Sequence, residues 1–284
     1  MNRIADEQRR RNAETRETWD RFRSHRHRVT RLLVDSAATD ARLAVLGAGN
    51  CNDLDLGALL AAYGQVDLVD LDADALASGV ARQGYDGSGR LCLRGDIDLT
   101  GIADHLSKGS PQRPLSDAEL DECLGRMAGH APLELLVSFD TVASVCLLTQ
   151  LLESVVTTLG EGHPRCWEMV ARVRAHHLGL LLQLVRPGGT GVLVVDFVSS
   201  ATFPQLAQVP ERQLPHVAVE LINRRNFFTG VNPFVLRGLF ESAPELAPAV
   251  EGVRMTAPWL WDFGPRVYLT SAILIRRKPT ASGA

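Results

Sequence analysis

Short apolar runs that alternate with segments of helical period dominate residues 43–197, and few folds accept that alternation. Leu43 to Leu46, Val66 to Leu71, Leu91 to Arg94, Leu133 to Phe139 and Gly191 to Phe197 read as buried strands. Helical patterns fill the gaps near 53–63, 73–82, 114–129, 141–159 and 167–185. Strand and helix taking turns predict βαβ units, a parallel sheet, and right-handed crossovers that put helices on both of its faces. Ahead of this domain, residues 5 to about 35 predict one helix, with Trp19, Phe22, Val29 and Leu33 on a single stripe. Behind it, an irregular stretch over 198–230 and a helix near 233–241 lead to two apolar runs separated by Gly264-Pro265, an antiparallel hairpin that completes the sheet.

Composition excludes several function classes. The 284 residues, 45% hydrophobic, can bury a large core, and a formal charge of -3 gives nucleic acid and anionic membranes no general attraction. No run approaches the ~18 apolar residues of a membrane span, and the Arg-rich start has no signal-peptide core, so a cytoplasmic location is expected. Cys51, Cys92, Cys123, Cys146 and Cys166 are scattered without metal-ligand spacing and predict packed, reduced thiols and no metal site.

The stretch "LAVLGAGNCNDLDL" (43–56) carries the chemistry. A glycine turn between strand and helix lets a ligand approach the backbone, and the helix start offers free N–H groups. Gly47 and Gly49 open such a turn, but Asn52 stands where a dinucleotide fingerprint needs its third glycine. Asp53 and Asp55 follow at once; beside a pyrophosphate they would be repelled, whereas a cation would be welcome. S-adenosylmethionine, with a sulfonium and an ammonium against one carboxylate and no phosphate, meets that demand. Asp70, at the end of the second strand, can accept both hydroxyls of a ribose, and so speaks for a nucleoside of either kind. In "LCLRGDIDL" (91–99), Asp96 could accept from an adenine amino group while Ile97 covers the ring.

Together these residues resemble the class I S-adenosylmethionine-dependent methyltransferases. "VLGAGNCNDLDL" looks like their first motif, "LVDLD" their second, "RGDI" their third, and "LVRPGGTGVLVVDF" their post-motif, over about residues 41–277. Leu46 and Asn50-Cys51 depart from the usual acidic residue and third glycine of the loop. The resemblance implies an α/β, Rossmann-like, doubly wound seven-stranded sheet, mostly parallel, with a C-terminal antiparallel hairpin. It divides the chain into an N-terminal helical lid (1–40) and a methyltransferase-like domain (41–284). It implies a cofactor held by Gly47, Gly49, Asn50, Asp53, Asp70, Leu71, Asp96 and Ile97, and by Ser138 and Phe139 after the fourth strand.

Methyl transfer needs alignment more than acid or base. His25, with its ordinary pKa near 6.5, and Asp140, beside the expected reacting end, are the candidates should a proton have to move. Asp140 reads equally as the N-cap of a helix from Thr141. The first 31 residues hold ten Arg against five acidic residues, and Trp19, Phe22 and Arg26 lie where a lid would meet the acceptor. An anionic or aromatic small molecule is the expected acceptor; a homodimer is compatible, and nucleic acid and membrane are not expected partners. An NAD-dependent oxidoreductase, a non-catalytic cofactor-binding protein on the same fold and an aminopropyl transferase are the alternatives.

Overall fold

A computed structural model describes residues 2–132, 135 and 138–280. The sheet runs β3-β2-β1-β4-β5-β8-β6 across the molecule, with β7 also paired to β8. β1 (Arg42–Leu46), β2 (Gln65–Val69), β3 (Leu91–Arg94), β4 (Phe139–Val145) and β5 (Val185–Ser199) are parallel. β8 (Val267–Arg277) runs antiparallel to β5 and to both β6 (Val250–Met255) and β7 (Trp259–Asp262). The expected seven positions across the sheet are therefore filled by eight strands. Thr256–Pro258 interrupts the edge partner of β8, and Pro258 has no N–H to give the ladder. The hairpin at Gly264-Pro265 is formed as expected.

Strand periodicity divides the core into two layers. Leu43 and Val45 of β1, with Val66 and Leu68 of β2, pack on α2 (Arg23–Val34), α3 (Leu56–Ala62) and α4 (Ala73–Arg82). Ala44 and Leu46 point the other way, into a layer with α5 (Ala103–Leu106), α6 (Asp117–Ala128), α7 (Leu147–Leu159), α8 (Cys166–Leu184) and α10 (Pro233–Ser242). Every strand from β1 to β5 ends its apolar run at the same edge, and the order reverses direction between β1 and β4, which opens a crevice there.

Three expectations need correction. The N-terminal segment is two helices, α1 (Arg3–Thr15) and α2, not one. The Thr15 and Thr18 hydroxyls bond back to Arg11 and Thr15 carbonyls, and the last carbonyls of α1 accept from Asn50 and Asn52, so the helix has a capped end. The fourth strand is Phe139–Val145, and helix α7 starts at Leu147 rather than near Thr141. Residues 133, 134, 136 and 137 of the expected strand lie outside the described residues. β-Branched Thr141, Val142 and Val145 favour the sheet, and Cys146, at φ 51°, turns the chain before a helix can begin. Within 198–230, α9 (Leu214–Asn223) forms where irregular chain was expected, because Pro215 sits in the first turn, where its missing N–H has no intrahelical partner to lose.

Gly79 of α4 supplies the close approach that the missing third glycine of the loop would have given. A Cβ there would stand 2.3 Å from the Asn50 carbonyl oxygen. Gly79→Ala is expected to destabilise the fold by about 1–3 kcal/mol through overpacking. Gly125→Ala, in α6 with no atom within 4 Å of the new methyl, is expected to be neutral or to gain up to about 1 kcal/mol. Urea unfolding of both variants checks this; equal midpoints would show that the loop does not rest on α4.

Candidate active site

The turn after β1 is set by backbone chemistry. Gly47 and Gly49 take φ of 75° and 47°, in the left-handed region that glycine enters freely. The Gly47 and Ala48 amides donate to the Val69 carbonyl at 2.9 and 3.1 Å. A Cβ on Gly47 would meet Cβ of Leu147, at the start of α7, at 2.9 Å. The Gly49 amide donates to Oδ2 of Asp70 at 2.8 Å, and Oδ1 of Asp70 accepts the Asp72 amide at 2.9 Å. Burial pushes the Asp70 carboxyl up to about 6, against those two hydrogen bonds. Asp55 caps α3 by accepting the Ala58 amide at 3.0 Å, so of the two loop aspartates Asp53 alone faces inward.

Two hollows flank Gly47. The smaller, about 70 Å³, is lined by Asp70, Leu71, Ile97, Asp98 and Thr100 together with apolar residues of α7. Asp96 does not line it. A φ of 58° at Asp96 turns the chain so that Ile97 and Asp98 reach the wall instead. The Asp98 carboxylate is occupied in holding its own loop, accepting from the amides of Thr100 at 2.9 Å and Ala103 at 2.8 Å.

The larger cavity, about 300 Å³, opens on the other side of the turn. Gly49, Asn50, Asp53, Cys146, Asp196 and Phe22 line it, with Trp261, Phe263 and Tyr268 of the hairpin. Burial pushes the Asp53 carboxyl up to about 7, with Arg26 opposing, and the Asp196 carboxyl up to about 7, with the Thr149 hydroxyl opposing from 2.8 Å. Behind Asp53 stands His25, whose Nδ1 accepts from Trp259 Nε1 at 3.1 Å. An indole nitrogen can only donate, so the single hydrogen of the neutral ring is on Nε2, which lies 3.4 Å from Asp53 Oδ1. Burial keeps that ring neutral by lowering its pKa to about 3. His25 is therefore a neutral ring beside Asp53 whose Nε2–H has no partner among the described residues, and it lines neither hollow, which removes it as a base in direct reach of an acceptor.

The shift of β4 moves three expected residues out of the crevice. Ser138, Phe139 and Asp140 sit at the start of that strand, at the edge opposite the glycine turn. Against partial burial, the Arg42 amide at 2.8 Å and an ion pair with Arg186 hold the Asp140 carboxyl below its usual range. It is neither a helix cap nor a base; it pins the start of β1 to β5. Trp19 and Arg26 also stay outside both hollows: the guanidinium lies 3.5 Å from the indole centroid and donates to the carbonyls of Trp19 and Asn52, closing the α1–α2 turn. Phe22 does line the larger cavity. The positive charge of the N-terminal segment is largely spent on neighbours; Arg11, the arginine of that segment at the cavity, pairs with Glu7 and Glu153.

Asp196, Thr149, Cys146 and the hairpin aromatics were missed. A lone aspartate inside "GVLVVDFV" is the signal that could have found Asp196, because an acid in a fully buried strand needs a reason to be there.

No family model matches the sequence, and no curated protein matches it. Among solved structures, an O-methyltransferase family protein from Burkholderia thailandensis superposes with a TM-score of 0.51 at 13% identity, over 98% of this chain and 63% of that one. This chain thus spans less than two-thirds of that protein's length. The N-methyltransferase NodS from Bradyrhizobium japonicum, in complex with S-adenosyl-L-homocysteine, gives 0.45 at 11% identity, over 91% and 87% of the two chains. The fold is the Rossmann-like one of the class I methyltransferases.

The raised Asp196 pKa has a measurable consequence. The folded chain holds that proton up to about pH 7, whereas the unfolded carboxyl releases it near 3.9. The stability it contributes is complete below pH ~4, is lost as pH rises through ~7, and stays flat above. The urea midpoint of Asp196→Asn should therefore gain on that of the wild type between pH 4 and 7. A difference that does not change with pH would contradict the buried, protonated state.

Proposed function

We propose that the protein is an S-adenosylmethionine-dependent methyltransferase acting on a small molecule. The observation that carries this reading is the glycine turn standing between a hollow lined by Asp70, Leu71 and Ile97 and an acid-walled cavity. In the smaller hollow Asp70 presents carboxylate lone pairs to ribose hydroxyls, while Leu71 and Ile97 offer apolar faces to adenine. The Asp70 oxygens each spend one lone pair on a backbone amide, which leaves capacity for a ligand. On the other side Asp53 and the Asn12 and Asn50 side chains meet at Gly49, where the amino-acid end of the cofactor would lie.

Charge favours this ligand over a dinucleotide. Among the described residues no Lys or Arg lines the smaller hollow, and in the larger cavity Arg11 is paired with Glu7 and Glu153, so a pyrophosphate at the turn would face Asp53 with Arg266 alone to answer it. A sulfonium and an ammonium are stabilised by the same carboxylate. Bound there, the cofactor supplies an already activated methyl carbon; the chain's part is to align it with an acceptor and keep water away.

Helix α1 serves this as a cover. Asn12 Nδ2 donates to Asp72 Oδ2 at 3.0 Å, and the Arg3 guanidinium reaches Thr158 Oγ1 at 2.5 Å, so the helix bridges both sides of the crevice. Residues 1–40 are thus proposed as the lid, and Phe22 as the part of it that touches the acceptor.

Calorimetric titration tests the reading. S-adenosylhomocysteine is expected to bind at micromolar concentration, with NAD and NADP silent in parallel cells. Asp70→Ala should weaken that binding by roughly 10- to 100-fold, the loss of hydrogen bonds to a charged acceptor. Dinucleotide binding, or an unchanged affinity in a folded Asp70→Ala chain, would overturn the assignment. Tight binding without turnover on any acceptor would favour a non-catalytic member of the fold.

A further inference from the structure

The larger cavity is unusual in what it brings together. Asp196 is only 6% exposed, at the carboxyl end of β5, and Thr149 Oγ1 fixes its Oδ1 by donating at 2.8 Å. No other described side chain donates to Oδ2, and the residue lines the cavity. The same cavity is lined by aromatic rings in contact with one another. Trp261 lies 5.3 Å from Phe22 and 5.1 Å from Phe263, both edge-on, and 5.3 Å from Tyr268 at a tilt of 38°. Trp261, 6% exposed, also carries an Nε1 with no partner among the described residues.

Ring faces and a buried carboxylate attract the same kind of ligand. Aromatic quadrupoles hold a cation within about 6 Å of the ring centroid, more strongly once water is excluded. An anion would meet Asp53, Asp196 and Glu153, with Arg11 already paired to Glu153 and Arg266 at the rim to answer them. A neutral hydroxyl can pair with Asp196 in its protonated form, whereas an ammonium stabilises the charged form.

We infer that the acceptor is an amine, bound as its ammonium between Asp196 and the cage of Phe22, Trp261, Phe263 and Tyr268. This rests on the methyltransferase reading above. The balance of the step is simple. The ammonium gives one proton to Oδ2 of Asp196, which frees the nitrogen lone pair. That pair forms the new bond to the methyl carbon as the carbon–sulfur bond breaks and its electrons stay on sulfur. The product is again a cation, a methylated ammonium, and the proton on Asp196 leaves to solvent. A carboxyl that holds protons up to about pH 7 is suited to that exchange.

Three probes that share one frame and differ in charge test the inference: phenethylamine, 2-phenylethanol and phenylacetate. Each is titrated into the full chain, with and without saturating S-adenosylhomocysteine. Phenethylamine is expected to bind at least tenfold more tightly than 2-phenylethanol, with phenylacetate weakest. Asp196→Asn should bring the amine and the alcohol to equal affinity while the variant's S-adenosylhomocysteine affinity stays within about twofold of wild type. Trp261→Leu should weaken the amine more than the alcohol, which keeps the test open if Asp196→Asn does not fold. Equal binding of amine and alcohol by the wild type, a preference for phenylacetate, or no phenethylamine binding at millimolar concentration would overturn it. So would an amine preference that survives in Asp196→Asn. If S-adenosylhomocysteine binds and the preference is absent, the acceptor class falls alone. If the preference appears without S-adenosylhomocysteine binding, the cofactor reading falls and the cation cavity stands.

Discussion

The hydrogen bond from the Gly49 amide to the buried Asp70 carboxylate ties the end of β1 to the end of β2, and the geometry of both hollows follows from it. With Val69 accepting from Gly47 and Ala48, three hydrogen bonds hold the turn to the end of β2. Leu147 fills the space beneath Gly47 and Gly79 lets α4 meet the Asn50 carbonyl, so neighbouring helices hold the turn from two sides. Asn50 and Asn52, in turn, cap α1 through the carbonyls of Asn12 and Thr15. The residues that replaced the expected glycine therefore connect the glycine turn to α1.

Charge is distributed with the same economy. Asp55, Asp72 and Asp98 each accept helix or loop amides and so have structural work. Asp53 and Asp196 do not; they face a cavity, and burial raises both pKa values. Acids with pKa values raised by burial at a cavity wall are enriched at sites that bind cations or move protons. His25, fixed in one tautomer by Trp259, stands behind Asp53 with Nε2 3.4 Å from Oδ1, makes no hydrogen bond to it and does not enter the cavity.

Much of the architecture was legible because strand and helix periods differ so sharply. β1, β2, β3, α4 and α8 fall within a residue or two of their expected places. The glycine turn, Asp53, Asp70, Leu71 and Ile97 stand beside the hollows because their position follows from strand ends alone. β4 was not legible: the Leu-rich run ahead of it carries the stronger apolar signal, and "TVASV" merges in sequence with the helix that follows. A slip of six residues there carried Ser138, Phe139 and Asp140 to the wrong edge of the sheet. The aromatic wall was hidden for a different reason. Phe22 and Trp261 are 239 residues apart, and no local pattern reports a contact that the antiparallel closure of β7 on β8 creates.

The central claim is that the Gly47–Gly49 turn holds the cofactor at the carboxyl edge of the sheet. Backbone amide shifts of the ¹⁵N-labelled full chain, followed by NMR as S-adenosylhomocysteine is added, test it most directly. The account predicts the largest changes at Gly47, Gly49, Asp70, Leu71 and Ile97, with Asp140 at the opposite edge unmoved. Changes centred on Asp140, or none at the glycine turn under saturating ligand, would contradict it.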